Sequence, residues 1–231
     1  MAGSFTFKQF TIDQDQCAMK VGTDGVLLGA WADGGERILD IGMGTGLISL
    51  MMAQRFPHAH VDGVEIDPMA AKQAQSNILR SPFSDRIAVA CQAIQQYEAE
   101  PYDVIVSNPP FFNRSLLTPQ EARTQARHTT TLSYRDLFHH AWRLSKDVAL
   151  LYIIVPTMLV DDFVTEATFV GWNLHTQTDV RTTHTKPPKR SLLCFGKTII
   201  ASPTHLTQTM TQDGQPTEWY RQLTETFYLN L

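Results

Sequence analysis

Asn108, Pro109, Pro110 and Phe111 follow directly on an apolar run, residues 102–106, of the kind that forms a buried strand. Two consecutive prolines have no N–H to give a sheet ladder, so the strand must stop there. What remains is a rigid loop presenting an amide side chain, bare carbonyl oxygens and an aromatic ring at a strand's carboxyl end. Open α/β sheets bind their ligands at such ends. The combination suits a planar nitrogen group, with acceptors for its N–H bonds and a ring to lie against it. A second constellation lies upstream, where Asp40-Ile41-Gly42-Met43-Gly44-Thr45-Gly46 joins a short apolar strand to an apolar helix. Its glycines let the chain turn tightly and let a ligand come close to the backbone. The spacing is G-x-G-x-G, with Leu47 where a dinucleotide fingerprint would have its third glycine. Taken alone, the turn also fits a plain strand–helix connection, the lesser of the two readings. Glu65, about 20 residues on at the end of the next strand, adds a carboxylate suited to the hydroxyls of a ribose. The carboxylate of Asp40 is placed to orient water or a ligand ammonium.

A framework has to hold these groups, and the hydrophobic pattern supplies one. Residues 37–41, 61–66, 87–91, 102–107 and 148–155 read as short apolar strands. Residues 47–55, 68–80, 134–144 and 159–171 read as helices, with Pro57 just past the first and Pro68 opening the second. Repeated β-α units of this kind imply a parallel sheet with helices on both faces. Residues 172–180 and 191–200 then flank a polar loop, 181–190, and suggest an antiparallel hairpin closing the sheet. After a Thr/Gln-rich stretch, 202–217, Trp219, Leu223 and Phe227 recur four apart, as in a short docking helix. At the amino end, residues 5–10 alternate like a strand, and 20–31 carry several glycines and an apolar run. Neither repeat nor linker divides the chain. One domain over 1–231 is expected, with an extension over 1–33, a core over 34–201 and a tail over 202–231.

Composition bounds the function. With 231 residues, 43% apolar and 18% charged, the chain can bury a full core. No apolar stretch reaches the ~18–20 residues that span a bilayer, and no basic-then-apolar leader is visible, so a cytoplasmic protein is expected. A formal net charge of −4 excludes a uniformly basic surface, leaving nucleic-acid binding to local patches. Cys17, Cys91 and Cys194 are far apart and fit reduced, mostly buried thiols rather than disulfides or zinc ligands. His58 and His60 lie in a polar loop, and the adjacent His139 and His140 cannot converge on one ligand. No metal is expected.

The glycine turn, Asp40 and Glu65 together resemble the class I S-adenosylmethionine-dependent methyltransferases over residues 20–200. The resemblance implies a Rossmann-like α/β fold with a mostly parallel seven-stranded sheet, ended by the antiparallel hairpin. It implies S-adenosylmethionine as cofactor, with Gly42, Gly44 and Gly46 under its methionine part and Glu65 on its ribose. The family often has an acidic residue after the third strand, near the adenine. This chain has Cys91-Gln92-Ala93-Ile94 there, which leaves Gln92 and the backbone at Ala93 for that role.

Within that family, Asn-Pro-Pro-Phe at the end of the fourth strand marks methylation of an exocyclic amino group or a side-chain amide. The Asn108 oxygen and the Pro109 carbonyl would accept both N–H bonds of the amino group, and Phe111 would stack on the base. Adenine N6, guanine N2 and glutamine N5 share this motif. Beyond it, residues 5–10, 17–25 and 27–31, Gln125-Ala126-Arg127 with Thr129-Thr130-Thr131, and the ending Phe227-Tyr228-Leu229 resemble the bacterial valine-tRNA adenine N6-methyltransferases. That family implies a tRNA partner, with the Thr23-Asp24 region closing over the cofactor. Arg114, Arg123 and Arg127 after the catalytic loop, and Lys186, Lys189 and Arg190 on the hairpin loop, are the candidate RNA contacts. A monomer, with neither membrane nor metal involved, is expected. The rivals are glutamine methylation of a release factor, rRNA guanine-N2 methylation, and a non-catalytic RNA-binding protein. The release-factor group typically carries an extra amino-terminal domain and a tyrosine at the Phe111 position, and this chain has neither.

Overall fold

The computed structural model describes residues 3–17, 20–110 and 132–230. A short strand pair, β1 (Phe5–Thr6) and β2 (Thr11–Ile12), precedes helix α1 (Thr23–Trp31). The alternating core follows: β3 (Arg37–Ile41), α2 (Leu47–Arg55), β4 (His60–Glu65), α3 (Pro68–Leu79), β5 (Ile87–Cys91) and β6 (Tyr102–Ser107). After α4 (Tyr134–Arg143) come β7 (Ser145–Pro156), α5 (Val160–Val170), β8 (Asn173–Arg181) and β9 (Arg190–Gly196). The chain ends with β10 (Thr204–Thr209), a small hairpin of β11 (Thr211–Gln212) and β12 (Gln215–Pro216), and α6 (Glu218–Thr224).

Eight strands form one sheet in the order β10-β8-β9-β7-β6-β3-β4-β5. From β5 to β7 all neighbours are parallel. β9 runs antiparallel between β7 and β8. The α/β fold and the hairpin are as expected, but the sheet has one strand more than seven. β10 lies in the stretch read as a polar tail and pairs parallel with β8 along its whole length. Its sequence, Thr-His-Leu-Thr-Gln-Thr, has no apolar alternation because most of it is exposed. Only the open backbone edge of β8 makes it a strand, and an edge leaves no hydrophobic signature.

Successive residues of the central strands feed opposite cores, as the strand pleat requires. Ile38, Val104, Tyr152 and Leu192 join one cluster, and Leu39, Ile105, Leu151 and Leu193 the other. Helices α1, α2, α3 and α6 cover the first face, and α4 and α5 the second. In α1 the glycines serve close helix packing. A Cβ on Gly29 would stand 2.9 Å from the Met51 sulfur, and one on Gly25 3.0 Å from Leu47 on α2. The two chain ends meet on the first face, where Phe7 stacks on Tyr228 and the Lys8 amide donates to the Phe227 carbonyl. Residues 5–10 therefore form a turn with one short strand rather than a continuous strand. Of the thiols, Cys194 is buried, Cys17 half-buried and Cys91 exposed.

Candidate functional site

The chain leaves β3 toward β4 and β5 on one side and returns through β6 and β7 on the other. The crevice at the carboxyl ends of β3 and β6 is thus the topological switch point, where doubly wound sheets bind ligands. Asp40 pairs with Val106, and the Ser107 hydroxyl donates to the Ile41 carbonyl at 2.8 Å. This register brings Asn108 out of the sheet beside Gly42. Pro109 is buried and Pro110 exposed, so the proline pair is anchored on one side only. The Asn108 Oδ1 atom is buried and has no hydrogen-bond partner among the described residues. An unpartnered buried acceptor is costly, about 1–3 kcal/mol, so this oxygen is suited to accept from a bound donor.

The glycine turn explains itself at three positions. Gly42, Gly44 and Gly46 have φ of 75°, 55° and 84°, in the left-handed region that side chains disfavour. A Cβ on Gly42 or Gly44 would meet no atom within 4 Å, so the loop opens onto space wide enough for a ligand to lie against its backbone. Gly46 instead faces Ala74 at 3.4 Å and starts α2. The amides of Gly42 and Met43 donate to the Val64 carbonyl, and the Gly44 amide donates to Glu65 Oε2 at 2.9 Å. Glu65 Oε1 accepts from the Asp67 amide, also at 2.9 Å. Each carboxylate oxygen keeps a second acceptor position, enough for the two hydroxyls of a ribose.

Asp40 is fully buried on β3. Its Oδ2 accepts from the Ser49 amide at 3.1 Å and the Ser49 hydroxyl at 2.7 Å, while Oδ1 has no partner among the described residues. Burial raises its pKa to about 7, the Ser49 bonds oppose that rise, and the charge of Glu65 adds to it. A cation at this position would restore the carboxylate. Gln92 and Ala93 are half-buried just past β5, whose Cys91 pairs with Glu65, so they lie one strand beyond Glu65. Thr23 is exposed at the start of α1, whose first turn packs on Leu47 directly after the glycine turn.

Lys186 and Lys189 are exposed at the tip of the β8–β9 hairpin, and Arg190 is tied to Asp24 on α1, with Nε 2.6 Å from Oδ2. Phe111, Arg114, Arg123 and Arg127 lie outside the described residues.

Sequence reasoning missed Asn77 and Gln73, both buried on α3. The Asn77 side-chain amide donates to the carbonyls of Asp13 and Thr45, at 2.9 and 3.0 Å, joining the amino-terminal segment to the glycine turn. The Asp13 amide donates back to Asn77 Oδ1, and the Gln16 amide to Gln73 Oε1, each at 2.9 Å. Two amides four apart on the alanine face of a helix were the available signal.

The unpartnered acceptor of Asp40, the open glycine turn and Glu65 fit S-adenosylmethionine, whose ammonium, methionine part and ribose need such partners. The family described as Methyltransferase small domain matches residues 21–129. Among solved structures, a predicted O-methyltransferase from Agrobacterium tumefaciens aligns at a TM-score of 0.67 and 19% identity, covering 88% of this chain and 96% of that one. A Pyrococcus horikoshii protein crystallised with MeSAdo aligns at 0.56 and 18% identity, covering 82% and 68%. These likenesses show the fold. A tRNA1(Val) (adenine(37)-N6)-methyltransferase from Klebsiella pneumoniae is 44% identical, covering 97% of this chain and 94% of its own. One from Phocaeicola vulgatus is 47% identical, covering 98% of each. Identity of this order over nearly the full length of both proteins means that the chain belongs to the tRNA1(Val) (adenine(37)-N6)-methyltransferase family.

Proposed function

We propose that this protein transfers a methyl group from S-adenosylmethionine to N6 of an adenine in tRNA, adenine 37 of tRNA1(Val), as the names of its relatives have it. The observation that carries the reading is the unpartnered buried oxygen of Asn108 at the switch point beside an open glycine turn. When bound, the cofactor supplies an electrophilic methyl on sulfur. Asp40 Oδ1 would hold its ammonium, Glu65 its ribose hydroxyls, Gln92 and the Ala93 backbone its adenine edge, and Thr23 would cover the near side.

An adenine amino nitrogen is a poor nucleophile because its lone pair is delocalised into the ring. Asn108 Oδ1 and the Pro109 carbonyl accept its two N–H bonds and favour a more tetrahedral nitrogen whose lone pair is free to attack. Holding reacting atoms within about 3–3.5 Å contributes several kcal/mol. The same two oxygens stabilise the positive charge that develops on nitrogen, which then loses its proton to water. Pro109 and Pro110 fix the loop so that this geometry needs no reorganisation. Phe111 stacks on the extruded base, worth about 1–3 kcal/mol. Arg114, Arg123, Arg127, Lys186, Lys189 and Arg190 contact phosphates. The chain acts in the cytoplasm as a monomer and as a single catalytic unit over 1–231.

Tritiated methyl transfer onto bulk tRNA from a strain lacking the protein, followed by nucleoside analysis, tests the reading. Label in N6-methyladenosine supports it. Label in N2-methylguanosine, or in protein alone, overturns it.

A further inference from the structure

The ion pair between Asp24 and Arg190 joins the two halves of the site. Asp24 is the second residue of α1, and the first turn of that helix rests on Leu47 at the exit of the glycine turn. Arg190 opens β9 and pairs with Pro156, at the carboxyl end of β7, the neighbour of the strand that delivers Asn108. Two strand spacings and two residues of rise put the Arg190 backbone about 12 Å from that of Asn108. A base amine and the phosphate of the same nucleotide are separated by a similar span.

Arg190 is also held in one orientation. Nε donates to Asp24 Oδ2 at 2.6 Å, and Nη1 donates to the Lys189 carbonyl at 3.0 Å. Nη2 has no partner among the described residues, and the side chain is 36% exposed. The outer edge of the guanidinium therefore faces solvent as a ready donor pair for a phosphate oxygen. No acidic residue lies in the hairpin tip, 181–190, where Arg181, His184, Lys186 and Lys189 are its neighbours.

We propose that Asp24 is a positioning residue. It aims Arg190 at a backbone phosphate of the substrate RNA and, through the first turn of α1 against Leu47, couples that contact to the glycine turn. The proposal rests on the reading of the site as a tRNA methyltransferase. Coupling of this kind is reciprocal: RNA tightens the cofactor site by the same factor as the cofactor tightens RNA.

The experiment is calorimetric titration of S-adenosylhomocysteine into the wild type, Asp24→Asn, Asp24→Glu and Arg190→Lys, each with and without saturating tRNA1(Val) transcript. RNA is expected to tighten binding about 5–20-fold in the wild type, within the usual range of coupling. In Asp24→Asn and Arg190→Lys the factor should fall to near one. Asp24→Glu should recover part of it. Thermal unfolding of each variant separates lost coupling from lost folding, and Asp24→Glu keeps the test valid should Asp24→Asn fail to fold. Full coupling in Asp24→Asn, or none in a wild type that does methylate tRNA, overturns the proposal and leaves the proposed function standing. A wild type that transfers no methyl to tRNA overturns both.

Discussion

Asn108 Oδ1 and Asp40 Oδ1 are both buried acceptors without partners among the described residues, yet they predict different losses. In the proposed arrangement Asn108 faces the acceptor nitrogen, so Asn108→Ala should abolish methyl transfer while cofactor affinity stays within about tenfold. Single-turnover transfer beside calorimetry checks this, and an equal loss of both would make Asn108 chiefly a cofactor residue. In the same proposed arrangement Asp40 faces the cofactor, and its chemistry is pH-dependent. Burial holds its folded-state pKa at about 7, above the 3.8 of an ordinary aspartate, so the native state keeps a proton that the unfolded chain has lost. Its contribution to stability is therefore greatest below about pH 4, declines as pH rises toward 7 and is level above. Relative to the wild type, Asp40→Asn should gain stability as pH rises from about 4 to about 7 and hold that gain above, measured by urea unfolding. A bound cation favours the carboxylate, so S-adenosylhomocysteine should bind more tightly, with proton release, as pH rises through about 7. The same titration in Asp40→Asn should be flat.

At the scale of elements, the glycine turn and α3 divide the work between shape and restraint. Gly44→Ala puts a methyl into the open ligand space at a φ of 55°. It should cost about 1–2 kcal/mol of stability through the left-handed backbone but far more in cofactor affinity, and comparing the unfolding midpoint with calorimetry separates the two. Asn77→Ala acts differently. It frees the Thr45 carbonyl and the Asp13 backbone at once, leaving buried polar groups unmatched. The expected cost is about 2–3 kcal/mol, with faster amide exchange over residues 13–16 and weaker cofactor binding. The parallel strands were legible because burial on both faces demands continuous apolar runs. Helix α2 was legible from its apolar run, bounded by the glycine turn and Pro57. Helix α1 was not, because Gly25 and Gly29 weaken a helical signal, and only their contact with α2 reveals why they are there.

For the whole molecule, charge is arranged against its own average. The formal net charge is −4, while the tip of the β8–β9 hairpin carries only cations and histidine among its ionisable groups. If Lys186 and Lys189 each meet one phosphate, replacing both by alanine should flatten the log–log salt dependence of tRNA binding by about 1.5, at 0.7–0.9 per contact. Cofactor affinity without RNA should not change. An unaltered slope would show both lysines to be solvated bystanders.

The sequence alone determined the chemistry, because its signals are local. Two prolines end a strand, glycines in a turn admit a ligand, and an amide at a strand end can only accept or donate there. Tertiary structure decided what depends on distant pairing. The register of β3 against β6 set Asn108 beside Gly42, the edge of β8 made a strand of a polar tail, and folding brought Asp24 to Arg190 from 166 residues away. Contacts between remote segments are invisible to periodicity, since each partner looks like an ordinary surface residue until the sheet brings them together.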